Sequence, residues 1–230
     1  MSARLGKKSM GMKATKRRAR KPDATRQKLL EAAFEEMYRR GFQAASLDTI
    51  LSKAGVTKGA LYHHFPDKLS LGYAVMDEMV KGSLLERWLG LLEDQTGDPL
   101  RAIQRVLQIR AANADAHEIE FGCPANNLAQ EMSPLDDGFR RRINGIFEAW
   151  REGFARALQR GQAEGTVRRD VEPRRVASFL VAAVEGSAGV AKSAKSLPMM
   201  RSNLEILVEY LDNLRPPQRQ GRRAKARHTT

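Results

Sequence analysis

The chain has 230 residues, 42% of them hydrophobic, enough to bury a sizeable core in one large domain or in a small domain joined to a larger one. No stretch approaches the roughly 18 uncharged apolar residues that cross a bilayer, and the basic N-terminus lacks the apolar run of a secretory signal, so a cytoplasmic protein without a membrane partner is expected. The formal net charge of +13 sits at the ends: residues 1–22 hold nine Lys/Arg and residues 215–230 six more, neither with an acid, which leaves 25 Lys/Arg against 27 Asp/Glu in residues 23–214.

In chain order, the tail of residues 1–22 has like charges and no apolar period, and it reads as disordered, either merely solubilising or raising DNA affinity without reading sequence. A first helix then runs from Thr25, as its cap, to Arg40, with Leu30, Ala33, Phe34, Met37 and Tyr38 on one stripe, and Gly41 ends it. Ser46 caps a second, short helix holding Ile50, Leu51 and Ala54. Gly55-Val56 makes a tight turn, Thr57 caps a third helix over 58–65, and Pro66 stops it. Asp67 caps a fourth, long helix to the region of Leu92. Five further helices follow near 98–115, 121–132, 134–164, 173–195 and 199–214, with Pro99, Pro134 and Pro173 near starts and Gly97 and Gly165 in breaks. The second basic tail, 215–230, reads like the first. No period-2 run reaches strand length, so the fold class is all-α: a module at 23–82 on a larger helical body at 83–214.

A short helix, a glycine turn and a second short helix make a helix-turn-helix, whose second helix enters the major groove of DNA. Ile50, Ala54, Val56, Leu61 and Phe65 should face inward, leaving Thr57, Lys58, Gly59, Tyr62 and His63 outward. Gly59 costs a helix about 1 kcal/mol relative to Ala, which close approach of backbone to DNA would explain. The run from Ser46 to Lys68, within a match over residues 25–80, resembles the TetR-family DNA-binding domain: Ile50, Ala54-Gly55-Val56, Gly59, Leu61-Tyr62, His64-Phe65, Lys68 and Leu71 fall on its signature. Leu51 departs, since a small alanine is usual there. The resemblance implies phosphate contact by Thr57, Tyr62, His64 and Lys68, and base-edge or groove contact by Lys58, Gly59 and His63. A cation at Lys68, in a first helical turn, also calls for an anion beyond it. Spacing alone equally permits Tyr62 and His64 to be partly core.

The one cysteine, Cys123, excludes a disulfide framework and a cysteine-rich zinc site. It opens the segment Gly122–Met132, whose mix of Phe121, Leu128 and Met132 with Asn126, Asn127 and a thiol suits a pocket wall. That segment is similar to one in some TetR-type regulators where a cysteine after a glycine senses electrophiles. Glu118 and Glu120 nearby would raise a thiol pKa, which favours a packed, inert cysteine. His63 and His64 point about 100° apart on a helix and cannot chelate one metal. Arg140, Arg141 and Arg142 read as a solvated face. No G-x-S-x-G elbow, phosphate loop, dinucleotide fingerprint or H-E-x-x-H occurs, so neither an enzyme nor a cofactor is expected.

The resemblance further implies a homodimeric, effector-released repressor of a pseudo-palindromic operator, with the last two long helices forming a four-helix bundle across the twofold axis. Phe179, Ala183 and Ser187 lie on one apolar or small stripe, and Leu204, Leu207 and Leu211 on another; both stripes also suit an intramolecular core. An effector pocket within the body would draw on Trp88, Phe121, Cys123, Asn127, Phe147 and Trp150 for an unknown small molecule. Two rivals from other classes are a sequence-neutral architectural DNA binder and an enzyme with an unrecognised site.

Overall fold

A computed structural model describes residues 23–92 and 97–217; the two tails assigned above lie outside it except for residues 215–217. Within the described residues every regular element is helical. Three helices open the chain, α1 (Ala24–Ala44), α2 (Leu47–Ala54) and α3 (Lys58–His64). A long rod follows: α4 (Lys68–Ala74), a π-helical stretch (Val75–Val80) and α5 (Lys81–Leu89), then a 3₁₀ turn (Gly90–Leu92). The residues at both of its junctions keep right-handed helical angles, so the rod is continuous. The body is built from α6 (Pro99–Asn113), α7 (Ala116–Phe121), α8 (Pro124–Met132), α9 (Asp137–Ala163), α10 (Pro173–Ala194) and α11 (Leu197–Asp212).

The starts and stops follow side-chain chemistry, with four differences from the sequence reading. Asp23, not Thr25, caps α1: its carboxylate accepts the Thr25 N–H at 3.0 Å, and the regular helix does stop at Gly41. The helix expected at 121–132 starts only at Pro124, which needs no N–H partner, and an unexpected short helix over Ala116–Phe121 precedes it, separated by Gly122 at φ +73°. The long helix expected from 134 starts at Asp137, capped by Asp136 through the Phe139 N–H at 2.7 Å, with Pro134 in the preceding turn. The last helix begins at Leu197 under a Ser196 cap, two residues before the expected start.

One hydrophobic core runs from the first three helices into the body. Trp150, Phe154, Ile103 and Leu107 fill its centre, and Phe42 meets Phe139 edge-on with ring centroids 4.7 Å apart, joining the two regions. Truncating Trp150 to alanine in such a place would cost about 3–5 kcal/mol. The helix α10 is apolar and long enough by composition to cross a membrane, but it packs on α9 and α11 with Leu180, Val184 and Ala191 buried.

The stripe Leu204, Leu207 and Leu211, offered above as an interface, is a correction: all three are buried within the chain, where α11 packs on α6. The helix is apolar on two faces, and the outward one carries Met199 and Ile206, the latter 58% exposed. On α10, Phe179 is 50% exposed and its ring meets that of Tyr210, whereas Ser187 is buried and its hydroxyl donates to the Ala183 carbonyl at 2.7 Å. Arg215, assigned to the tail, instead holds Asp98 at 2.6 Å.

Candidate DNA-reading head and effector cavity

The head is a helix-turn-helix fixed by its own caps. Ser46 Oγ accepts the Thr49 N–H and Thr57 Oγ1 the Ala60 N–H, at 3.4 and 3.2 Å, while left-handed Gly55 sends its N–H back to the end of α2. Inside, Ile50, Ala54, Leu61 and Phe65 are buried and Val56 and Leu51 half-buried, so the larger Leu51 is accommodated between core and surface. Lys53 of α2 donates to buried Glu36 of α1 at 3.3 Å, which ties the two helices.

This packing leaves Thr57, Lys58, Gly59, Tyr62 and His63 exposed together on α3, Tyr62 at 45%. A Cβ on Gly59 would meet only the Thr57 hydroxyl, 3.9 Å away, so nothing inside the molecule requires glycine there. Two expected contacts look inward instead. The His64 side chain is only 12% exposed and its Nε2 lies 3.6 Å from the Asp23 carboxylate. Lys68 donates to the Gln43 carbonyl at 3.0 Å and lies 4.9 Å from the Phe42 ring centroid. The ammonium thus has a carbonyl and a ring face as partners within the chain, and desolvation lowers its pKa.

Behind the head, the rod, α1, α6, α7 and α10, with Pro124 of α8 and Met200 of α11, line a partly open cavity of about 360 Å³. Of the sequence candidates, Trp88 and Cys123 line it. Trp150 lies behind Trp88, stacked at 4.5 Å, and Phe121 and Asn127 form its outer support, with Asn127 Nδ2 and Lys192 Nζ both donating to the Phe121 carbonyl. Phe147 is half-buried elsewhere in the core. Sequence reasoning missed Tyr38, Arg87, Arg110, Glu118 and Glu185, which come from five helices and carry no local pattern.

The cavity has two polar ends. At one, Glu118 accepts from Arg87 at 2.8 Å and from Arg110 at 2.5 and 2.6 Å, so one carboxylate holds two guanidiniums. At the other, Cys123 and Glu185 face each other. Burial and the Glu185 carboxylate push the thiol well above its ordinary value, and burial pushes Glu185 up to about 7. Such a thiol stays protonated at neutral pH, which favours the packed reading of Cys123. Tyr38, raised to about 12 by burial, donates its hydroxyl to the Gly122 carbonyl at 2.5 Å.

Three polar ties join this region to the head. Besides Tyr38 on Gly122, the Glu131 carboxylate of α8 accepts the Phe42 and Gln43 N–H groups, both at 2.8 Å, at the α1–α2 turn. Arg26 of α1 grips Glu78 of the π-helical stretch at 2.6 and 2.5 Å.

A capped helix-turn-helix on an all-helical body with a cavity behind it is the architecture of a DNA-binding regulator. Residues 29–74 match the family model described as bacterial regulatory proteins, tetR family, and residues 99–204 that described as tetracyclin repressor-like, C-terminal domain. The HTH-type transcriptional repressor DhaR of Mycobacterium sp. (strain GP1) is 31% identical over 81% of this chain and 91% of its own length. The transcriptional regulator AcuR of Cereibacter sphaeroides is 30% identical over 72% and 76%. Among solved structures, reduced E. coli NemR superposes with TM-score 0.74 at 25% identity, covering 84% of this chain and 98% of that one. The protein belongs to the TetR family of transcriptional regulators.

Proposed function

We propose that the protein is a homodimeric repressor that reads a pseudo-palindromic operator through α3 and leaves it when a small effector fills the cavity. The observation that carries this reading is Gly59, an exposed glycine inside a seven-residue helix with open space where its side chain would be. A residue so costly to a short helix is accounted for by a surface that approaches from outside. Lys58, Gly59 and His63 take the base edges, and Thr57 and Tyr62 the flanking phosphates. His64 and Lys68 act from behind, holding α3 and α4 against α1 through the contacts described above.

The dimer forms through the outward faces of α10 and α11, where Phe179, Val190, Met199 and Ile206 are exposed. Two recognition helices then meet half-sites about 34–36 Å apart. Effector binding alters their separation or tilt, because the rod carries Met79, Val80, Leu84 and Trp88 into the cavity wall. A chain that reads operators belongs in the cytoplasm.

The test is to enrich bound duplexes from a random pool and then compare the enriched palindrome with a shuffled duplex at one salt concentration. A preference of about a thousandfold or more is expected of an operator reader. Near-equal binding would replace this reading with a sequence-neutral architectural binder, and a monomer in sedimentation at operator-saturating concentration would remove the dimer from it.

A further inference from the structure

Two carboxylates are buried among the described residues, and they are treated differently. Glu36 is paired in charge with Lys53 and Arg40, at 3.3 and 3.2 Å, although its Oε1 accepts no hydrogen bond. Glu185, 8% exposed, forms no ion pair among the described residues, and its Oε2 has no hydrogen-bond partner. It caps no helix end and lies mid-way along α10, on the cavity wall, with the Cys123 thiol as its polar neighbour. A buried carboxylate met only by a thiol, with its second oxygen left without a partner, is unfavourable, and burial pushes its pKa up. No role within the chain accounts for it.

We propose that Glu185 anchors a protonated amine, so that the ligand of this cavity is a small amphipathic primary amine. Its ammonium meets the Glu185 carboxylate, and an apolar body lies against Leu84, Trp88, Ile119 and Met200. The volume, near the lower end of ligand sites, suits a compact molecule. The guanidiniums do not argue for an anion. Arg87 and Arg110 are both held by Glu118, so that end has its counter-ion, and the one donor left over, the buried Arg110 Nε–H, is a single N–H on a guanidinium already paired, whereas Glu185 has no paired charge at all among the described residues. This inference rests on the effector-cavity reading above and adds the chemistry of what enters.

The chain carries its own reporter, because both of its tryptophans stand at this site, Trp88 in the wall and Trp150 stacked on it. Full-length protein is titrated with 4-phenylbutylamine, 4-phenylbutanol and 4-phenylbutanoate near pH 8, where the carboxyl is largely ionised and the amine protonated. Tryptophan fluorescence should show the amine binding about tenfold or more tighter than the other two, as expected of a charge-assisted hydrogen bond. Glu185→Gln should erase that advantage and leave the alcohol within about twofold. Glu185→Asp keeps the charge and should keep part of the preference, which decides the matter if the glutamine variant does not fold. Tightest binding by the carboxylate, an amine advantage that survives Glu185→Gln, or no binding by any of the three would each overturn the proposal. Operator affinity is followed in the same samples. Glu185-dependent amine binding with unchanged operator affinity would sink the effector reading while leaving this ligand class in place.

Discussion

Gly59 separates what α3 needs from what its partner needs. Because a Cβ there meets nothing closer than 3.9 Å, Gly59→Ala should stabilise the free protein by about 0.5–1 kcal/mol, the usual gain for removing glycine from a helix interior. For a chain of this length that is a rise of roughly 2–4 °C in Tm per kcal/mol. The same methyl should weaken operator binding, by about tenfold or more if the DNA approaches the backbone, as read by anisotropy of a labelled duplex. Opposite signs for stability and binding are the expected outcome, and unchanged affinity would place the DNA elsewhere. Lys68 makes the complementary case. Its ammonium is bound to Gln43 and lies over Phe42, so Lys68→Met should lower Tm while leaving the salt dependence of binding nearly unaltered. A true phosphate contact would reduce that slope by nearly one unit.

At the scale of elements, the head was legible because each boundary is written in one residue: Ser46, Gly55, Thr57, Pro66 and Asp67 all do what their chemistry predicts. The helix α7 was missed although Asp115 and Glu118 stand at capping-box spacing, since its six residues are too few to show an apolar period and fell between the helices read at 98–115 and 121–132. The face of α11 was misassigned for another reason: two apolar stripes share one helix, and periodicity cannot say which one the chain itself covers. The polar half of the cavity was illegible because Tyr38, Arg110 and Glu185 converge only in the fold. The same holds for the Glu131 clamp, whose carboxylate takes two backbone N–H groups 88 and 89 residues away. Removing it with Glu131→Ala should cost about 1.5–3 kcal/mol per charged hydrogen bond at most, seen as a lower Tm. Glu131→Gln keeps one acceptor and should recover about half. If the clamp transmits the effector signal, calorimetry of effector binding with and without operator should show a smaller ratio in both variants than in the wild type.

Across the whole molecule, charge is unevenly distributed along the chain. The segment 23–214 is close to neutral, so the nine Lys/Arg of residues 1–22 and the five of residues 218–230, with Arg215 already paired to Asp98, are a large share of the positive charge available to phosphates. Deleting residues 1–20 should therefore lower affinity for operator and for random duplex by similar factors and flatten the salt dependence of both. A loss confined to the operator would instead make the tail a minor-groove reader. The head, for its part, is aimed by arithmetic as well as by contacts. A π-helical stretch interrupts the rod between Lys68 and Trp88, so the azimuth of the recognition surface relative to the cavity depends on how many residues lie between them. Each residue of an α-helix advances the phase by about 100°. Removing one residue from Val75–Val80 would let the rod relax to a uniform α-helix, yet it would ask α1 to swing away from Glu131 and Gly122, and one side must yield. Substitutions in this stretch change what the rod touches, whereas a single deletion changes where the head points, with every exposed side chain of α3 still present.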